Sequence, residues 1–195
     1  MPRPARYAKG LAKREEILAT ALEVIARTGY RRTSVRELAA AVGLSQAGLL
    51  HYFSCKEELF AEVLRKRDEV DRARSAPEAG TVPDLLVKVV RHNADVPGLV
   101  QLHAQFSVEA TDPAHPAHQA FVERYERLRQ RMADDLRARQ AAGTLSDTLD
   151  ADRVAALLLA VADGLQTQWL LDPGIDMAGH LDYLVDLLGL GGASD

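Results

Sequence analysis

Hydrophobic residues along this chain recur at the spacing of an α-helix, and no stretch alternates as a strand does. The first amphipathic segment runs from Arg14 to Thr28, and Gly29 ends it. Ser34 and Glu37 have the spacing of a capping box before a second helix, which Gly43 closes. Later helices are predicted at 84–95, 97–111, 117–141, 151–171 and 176–188. The pattern predicts an all-α fold.

The short segment Gly43-Leu44-Ser45 predicts a tight turn between two helices. Its glycine supplies a left-handed conformation, and its serine caps a third helix that we expect to extend through Tyr52. A second capping box, from Ser54 to Glu57, predicts the start of a fourth helix. Three short helices with such a turn form a helix-turn-helix, in which the helix after the turn projects outward. We therefore divide the chain into a helix-turn-helix domain at 1–55, a connecting helix at 56–75 and a second helical domain at 76–195.

The net charge of −4 conceals an uneven distribution of charge along the chain. Residues 1–75 hold 15 Lys and Arg against 10 Asp and Glu, whereas residues 76–195 hold 9 against 18. A basic end on an acidic body is typical of a protein whose first segment meets a polyanion. Charge alone is equally consistent with a solvated basic tail.

The remaining composition is that of a globular protein of the cytoplasm. Hydrophobic residues make up 47% of the chain and charged residues 27%, which is ordinary for a folded domain. No apolar run is expected to reach the roughly 18 residues of a membrane span, so no membrane partner is predicted. The single cysteine, Cys55, excludes an internal disulfide and is typical of a reducing compartment.

The exposed face predicted for the third helix is small and polar, with Gln46, Ala47 and His51 among its residues. Small side chains let a backbone approach base edges, and a glutamine can pair with the edge of an adenine. Lys56 stands in the first turn of the fourth helix, where the helix dipole disfavours a cation. A DNA phosphate bound there would favour both the lysine and the free N–H groups. A solvated lysine is the alternative.

These residues closely resemble the N-terminal domain of the tetracycline-repressor (TetR) family. The resemblance covers roughly residues 12–62 and is carried by the segments Thr33–Ala39, Val42–Ser45, His51–Phe53 and Lys56–Leu59. It implies phosphate contacts from Thr33, Arg36, Tyr52 and Lys56. It implies base or groove contacts from Ser45, Gln46, Ala47 and His51. Leu50 departs from the pattern, because the family usually has a tyrosine at this position.

Several aromatic and polar side chains on the later helices are candidates for lining a cavity. They are His103, Phe106, Phe121, Tyr125, Gln166 and Trp169. Core packing is the alternative for each of them. The resemblance places an effector among these helices, and flat apolar walls favour a ring-bearing or otherwise largely hydrophobic molecule.

The last two predicted helices carry more apolar residues than one buried face needs, which indicates a second buried surface. The candidates for this dimer interface are Val154, Leu158, Val161, Leu165, Leu181, Leu184, Val185 and Leu188. Ala156, Ala160 and Gly164 leave one flank flat for a close helix approach. The pattern predicts a four-helix bundle to which each of two chains gives two helices.

No constellation for enzymatic chemistry is visible in the sequence. His51 and Cys55 are four residues apart but lack a third, orienting group. His115 and His118 have i, i+3 spacing in a loop with few other metal ligands. We expect no catalytic residues, no metal and no cofactor.

The sequence therefore predicts a DNA-binding transcriptional regulator rather than an enzyme. The expected partners are double-stranded DNA with a palindromic operator, a second copy of the chain, and a small effector that releases the DNA. A small all-α enzyme, or a ligand-binding or interaction module without a DNA role, is the alternative.

Overall fold

The computed structural model describes residues 4–75 and 80–192, and every regular element in them is helical. The helices are α1 (Pro4–Thr28), α2 (Val35–Ala41), α3 (Gln46–Leu50), α4 (Lys56–Ser75), α5 (Val82–Asn93), α6 (Pro97–Glu109), α7 (His118–Ala141), α8 (Ala151–Leu171) and α9 (Met177–Leu187), with a 3₁₀ turn at Tyr30–Arg32. The predicted all-α class is confirmed. The third helix is shorter than expected, and α1 begins ten residues earlier than its apolar stripe indicated.

The helices form two compact units, and the chain passes between them more than once. The N-terminal unit comprises the residues up to Val70 together with Val96–Gln119. The C-terminal unit comprises Asp71–Asp95 together with the residues from Ala120 onward. Helix α6 therefore belongs to the same unit as α1, α2 and α3, whereas the sequence analysis placed it in the second domain.

The core of the N-terminal unit is built where α1, α2, α3 and α4 meet. Its fully buried side chains include Ile17, Leu18, Ile25, Leu38, Leu49, Phe53, Leu59 and Phe60. Ion pairs join α1 to α4 at the rim of this core. Arg14 lies 3.0 Å from the Glu58 carboxylate and 4.6 Å from the centre of the Phe53 ring, and Lys66 lies 2.7 Å from Glu15.

Helix α6 docks against α1 by a close backbone approach at Gly98. A Cβ atom at this position would lie 2.2 Å from the carbonyl oxygen of Ile25 and 2.7 Å from Cα of Gly29. Only glycine allows this approach. The buried guanidinium of Arg67 on α4 also donates a hydrogen bond of 3.2 Å to the carbonyl of Leu99. Both contacts fix the N-terminal turn of α6.

The C-terminal unit packs α5, α7, α8 and α9 around one apolar cluster. The fully buried members of this cluster include Leu136, Ala155, Leu158, Leu181, Val185 and Leu190. One buried polar pair lies in the same unit: the side-chain amide of Asn93 donates a 2.8 Å hydrogen bond to Gln166, which in turn donates to the carbonyl of Ala162.

Hydrogen bonds with Asp84 and Arg139 hold the segment 190–192, at the end of the described chain, against this unit. Asp84 accepts hydrogen bonds from the backbone N–H groups of Thr81 and Gly192, at 2.9 and 3.0 Å. The guanidinium of Arg139 donates to the carbonyls of Leu190 and Gly191, at 2.5 and 3.2 Å. These bonds satisfy the carbonyls of Leu190 and Gly191, which follow the end of α9.

Helix α8 is more apolar than the sequence analysis expected. It has 21 residues, and an 18-residue window within it has a mean hydropathy of 1.4, so by length and composition alone it is sufficient to cross a membrane. One such helix is weak support for a membrane span, because the core helix of a folded domain passes the same test. Residues of α8 such as Leu158 and Ala155 lie in the core of the C-terminal unit.

Candidate nucleic-acid interface

The turn before α3 has the geometry that its sequence predicts. Gly43 adopts a φ of +68°, and the N–H of Leu44 returns to the carbonyl of Ala39 at 2.8 Å. Ser45 then caps α3, because its hydroxyl accepts a 3.0 Å hydrogen bond from the N–H of Gly48. The turn sets the direction in which α3 leaves the core.

The first turn of α3 presents small and polar side chains to solvent. Ser45, Gln46 and Ala47 are exposed, whereas Leu49 on the opposite side is fully buried. A Cβ atom at Gly48 would lie 3.2 Å from the Ser45 hydroxyl, so a larger residue would press on the cap. The prediction that Gln46 and Ala47 face outward agrees with this arrangement.

At the start of α2, the Glu37 carboxylate takes part in the capping box with Ser34. The Ser34 N–H donates to Glu37 at 2.6 Å, and the Glu37 N–H donates to the Ser34 hydroxyl at 3.2 Å. The bond from the Ser34 backbone lowers the pKa of the Glu37 carboxyl below its ordinary value. The neighbouring Arg36 is exposed. The carboxylate is therefore held at the helix end, and the guanidinium extends into solvent.

The cap of α4 lies one residue later than the sequence predicted. The sulfur of Cys55 accepts a 3.4 Å hydrogen bond from the N–H of Glu58, and the Glu58 carboxylate accepts from the Ser54 N–H at 2.6 Å. Glu58, rather than Glu57, is thus the reciprocal partner. Burial raises the pKa of Glu58, but the hydrogen bonds from Ser54 and the guanidinium of Arg14 outweigh it, so its pKa lies below the ordinary value.

Lys56 is exposed in the first turn of α4, above two aromatic rings. Its Nζ atom lies 5.4 Å from the centre of the Phe60 ring and 6.0 Å from that of Tyr30. These distances are those of a cation–π contact. The ammonium is therefore seated on the rings while its other side faces solvent.

Thr33 does not have the exposure that a phosphate contact from its side chain needs. It is 5% exposed, and its hydroxyl donates to the carbonyl of Gly29 at 2.7 Å and lies 2.8 Å from the Thr28 hydroxyl. The hydroxyl is thus used to join the end of α1 to the start of α2. The predicted phosphate contact from Thr33 stays a prediction, which the burial of its side chain does not favour.

Two further cations lie close to these residues along the chain. Arg31 and Arg32 are exposed in the 3₁₀ turn before α2. Within the part of the chain that the structure describes, neither of them forms an ion pair, and the same holds for Arg36 and Lys56. Neither arginine was predicted as a DNA contact, although both lie in the basic segment at residues 1–75.

The end of α3 is partly occupied by packing. His51 is exposed, Tyr52 is half-buried, and their rings make an edge-to-face contact with centres 5.8 Å apart. Leu50, which replaces the tyrosine usual in the family, is also half-buried. His51 and part of Tyr52 are accessible to a ligand.

The candidate effector residues divide between the two units. His103 and Phe106 lie in the N-terminal unit and are 4% and 1% exposed. Phe106 makes edge-to-face contacts with Tyr30, Phe60 and His115. The ring therefore packs against the 3₁₀ turn and α4, a role that its sequence position did not indicate.

The other four candidates, Phe121, Tyr125, Gln166 and Trp169, lie in the C-terminal unit. One of them forms a hydrogen bond with a carboxylate. Tyr125 donates a 2.6 Å hydrogen bond to Asp163, and both side chains are half-buried. Burial, with the Asp163 carboxylate beside it, raises the pKa of Tyr125 well above its ordinary value, so the hydroxyl remains a donor. Phe121 and Gln166 are buried, and Trp169 packs against the apolar cluster of this unit.

The sequence analysis missed Asn93 and Asp163. Asp163 is a charged residue in the middle of the apolar helix α8, and that position is a signal of a functional or paired group. Asn93 is a buried amide at the end of α5, where the apolar stripe alone gives no indication of its partner.

Most of the predicted dimer residues are used by the core of their own chain. Leu158 and Leu181 are 0% exposed, Val185 is 1% exposed, and Val154 and Leu165 are below 10%. The prediction is wrong for Leu158, Leu181 and Val185, because a side chain fully enclosed by its own core cannot also contact a second chain. Val154 and Leu165 keep a small exposed fraction, and their place in an interface stays a prediction. Val161, Leu184 and Leu188 are half-buried. The same helices instead expose Leu157, Tyr183 and Leu187, which are 59%, 70% and 67% exposed.

The two loop histidines that the sequence analysis weighed as metal ligands, His115 and His118, form hydrogen bonds within the chain. Over residues 4–75 and 80–192, no group of three or more His, Cys, Asp or Glu side chains is placed to hold a metal ion. His118 Nδ1 lies 2.7 Å from the carbonyl of Ala110, and His115 Nδ1 accepts from the N–H of Ala117 at 3.2 Å. Both histidines thus hold the loop before α7.

Two family models match the chain and together span most of it. Residues 17–63 match the model for bacterial regulatory proteins of the tetR family. Residues 84–186 match the model for the C-terminal domain of BetI-type transcriptional repressors.

Individual proteins agree with these matches over nearly the whole length. The transcriptional repressor AcnR of Corynebacterium diphtheriae is 29% identical over 179 residues, which cover 90% of this chain and 89% of that protein. A transcriptional regulator of Saccharomonospora viridis, solved in complex with choline, is 28% identical with a TM-score of 0.64, over 89% of this chain and 95% of that one. A TetR-family regulator of Rhodococcus sp. is 21% identical with a TM-score of 0.71, over 90% and 97%, and shows the shared fold.

Proposed function

The chain belongs to the TetR family of bacterial regulatory proteins, and from that premise we propose that it binds a palindromic operator as a homodimer and releases it when a small effector binds. The matched families and relatives are transcriptional regulators, and this chain is therefore a transcriptional regulator and not an enzyme. The observation that carries the DNA-binding role is the set of exposed cations Arg31, Arg32, Arg36 and Lys56, near in sequence to the exposed Gln46. Because its ligand is DNA, we place the protein in the cytoplasm.

The proposed recognition divides between phosphates and base edges. The four cations neutralise phosphates and position the unit, since such contacts carry affinity but little sequence information. Gln46, with Ser45 and Ala47 beside it, enters the major groove and reads a base. In a two-fold dimer the two α3 helices enter successive major grooves, about 34–36 Å apart.

Selection of bound sequences from a random DNA pool tests this role, and three variants locate the contacts. Arg36→Ala should weaken binding to all sequences and lower the salt slope by about 0.9 for each phosphate that the protein no longer neutralises. Gln46→Ala should relax the preference at one base position, by roughly 1–3 kcal/mol. Arg91→Ala, which removes an exposed arginine from α5, is the charge-matched control and should change neither. Wild-type binding by both test variants would contradict the proposed surface.

The proposed dimer interface uses the exposed apolar residues of α8 and α9. Leu157, Tyr183 and Leu187 remain outside the core of their own chain, and Gly164 leaves open space beside α8. Large apolar side chains exposed together on two long helices are typical of an interface. This set replaces the buried residues that the sequence analysis chose.

Sedimentation of two exposed-site variants tests the interface. Tyr183→Glu should yield a folded monomer with greatly weakened operator binding, because it places a charge in the apolar seam. Val108→Glu is the control, since Val108 is equally exposed, at 70%, but lies on α6. A Tyr183→Glu protein that sediments and binds as the wild type does would contradict the interface.

For the effector, the hydrogen-bonded pair of Tyr125 and Asp163 supports a molecule with a positive charge. Asp163, Gln166 and Trp169 follow one another at intervals of three residues along α8, which places them on neighbouring positions of one side. A carboxylate and an aromatic ring together suit an organic cation. The related regulator from Saccharomonospora viridis binds choline, a molecule of this kind. We therefore propose an organic cation in place of the ring-bearing or otherwise largely hydrophobic molecule that the sequence suggested.

Thermal shift with choline and with its uncharged carbon analogue, 3,3-dimethylbutan-1-ol, tests this proposal. Choline should raise the melting temperature of the wild type and weaken operator binding, and the neutral analogue should do neither. Asp163→Asn should abolish the response to choline while leaving DNA binding intact. If both compounds change the melting temperature and operator binding equally, the charge of choline plays no part in recognition and the proposal is contradicted.

A further inference from the structure

We infer that Phe106 on α6 is a positioning residue for the Lys56 ammonium, which it controls through the rings of Tyr30 and Phe60. The inference rests on the proposed phosphate contact of Lys56. It assigns a part in DNA binding to a helix that lies outside the helix-turn-helix.

The three rings form a closed cluster in which each one contacts the other two. The ring centres of Tyr30 and Phe60 are 5.2 Å apart at an interplanar angle of 85°. Phe106 lies 5.7 Å from each of them, at angles of 90° and 77°. All three contacts have the edge-to-face geometry that aromatic pairs prefer. Since Phe106 is only 1% exposed, its ring is enclosed where it is.

Lys56 depends on this cluster for its position. Its ammonium lies within 6.0 Å of the centres of both the Tyr30 and the Phe60 ring. A free lysine side chain samples many rotamers, and binding a phosphate from a single rotamer costs conformational entropy. The cation–π contact with the two rings restricts the side chain before DNA binds, so it reduces the entropy lost on binding.

Phe106 supports the two rings from the side of α6. Its ring edges and faces fill the space against Tyr30 and Phe60, so a smaller residue would let both rings rotate. The backbone contact at Gly98 and the hydrogen bond from Arg67 hold the N-terminal turn of the same helix. A displacement of α6 within the N-terminal unit would therefore change the place of the ammonium.

A double-mutant cycle on operator affinity tests the inference. Phe106→Leu should weaken binding by roughly two- to fivefold, the range of an exposed cation–π contact, and should lower the salt slope toward that of Lys56→Ala. In the Lys56→Ala background the same Phe106→Leu change should have almost no effect. Equal weakening in both backgrounds, or an unchanged salt slope, would overturn the inference. If Lys56→Ala itself binds as the wild type does, the phosphate contact fails, and the inference fails with it.

Control variants separate positioning from loss of stability. Leu102→Ala removes a fully buried side chain from the same helix outside the ring cluster, so it should lower the melting temperature and act independently of Lys56→Ala. Tyr30→Leu provides a second route if Phe106→Leu fails to fold, and it should repeat the coupling to Lys56. Tyr30→Phe keeps the ring and should restore wild-type affinity and salt slope. If Leu102→Ala is coupled to Lys56→Ala as strongly as the ring variants are, the ring cluster acts only through general core packing and the inference is wrong.

Discussion

The contact at Gly98 gives the sharpest test of how α6 docks in the N-terminal unit. In Gly98→Ala the new Cβ atom would lie 2.2 Å from the Ile25 carbonyl oxygen and 2.7 Å from Cα of Gly29. Both neighbours are backbone atoms, so no side-chain rotation can relieve the overlap. To reach an ordinary van der Waals separation, α6 must retreat from α1 by about 1 Å.

The expected cost follows from the size of this overlap. Adding a methyl group to a well-packed region typically costs about 1–3 kcal/mol. For a protein of this length, each kcal/mol lowers the melting temperature by roughly 2–4 °C, so we expect a decrease of about 2–12 °C. Operator affinity should fall too, because the retreat moves the rings that seat Lys56.

Gly10→Ala on α1 is the matched control for this experiment. A Cβ atom there meets nothing within 4 Å, so the change adds only helix propensity, up to about 1 kcal/mol in favour of the folded state. Calorimetry and operator titration of both variants provide the comparison. If Gly98→Ala melts at the temperature of Gly10→Ala and binds DNA as the wild type does, the close approach of α6 and α1 is refuted.

Three further predictions concern single polar groups. Burial raises the pKa of the Asp84 carboxyl, but the hydrogen bonds from Thr81 and Gly192 and the charge of Arg139 outweigh this, so its pKa lies below the ordinary value. Asp84 therefore stabilises the fold above the ordinary pKa of an aspartate, about 4, and this contribution is lost as the pH falls through the lowered pKa. Asp84→Asn should thus melt at a lower temperature than the wild type at pH 7, and the difference in melting temperature should disappear in acid. A difference that does not depend on pH would contradict this. Ser45→Ala should cost about 1 kcal/mol by removing the cap of α3, measured by urea unfolding, and an unchanged unfolding curve would show that the cap is dispensable. Gln166→Leu should cost about 1–3 kcal/mol, because it removes the buried acceptor of the Asn93 amide; unfolding at the wild-type urea concentration would argue against that bond.

The sequence predicted the parts of the fold that depend on neighbouring residues. The capping box of α2, the glycine turn at Gly43 and the cap at Ser45 are local signals, and each is present in the structure. The cap of α4 was misplaced by one residue, because Cys55 is an unusual capping residue and the choice between Glu57 and Glu58 depends on its sulfur.

The parts that were missed depend on packing between distant segments. Leu157 and Leu158 are adjacent and chemically identical, yet one is 59% exposed and the other fully buried. Periodicity alone cannot determine which of two apolar faces meets the core of the same chain. Phe106 turned inward for the same kind of reason, since its ring partners Tyr30 and Phe60 come from distant segments of the chain.

The division of the N-terminal unit into two stretches has a consequence for how the protein is made. Between Val70 and Gln119 a ribosome must add 49 residues before the unit has all its parts. At about 5–20 residues per second this takes about 2–10 s, which is long compared with the formation of a helix. During that interval the rings of Tyr30 and Phe60 have been synthesised while their partner on α6 has not. The DNA-binding unit therefore cannot complete its folding before α6 has been synthesised, and a chain cut after α4 would expose aromatic surface and tend to aggregate.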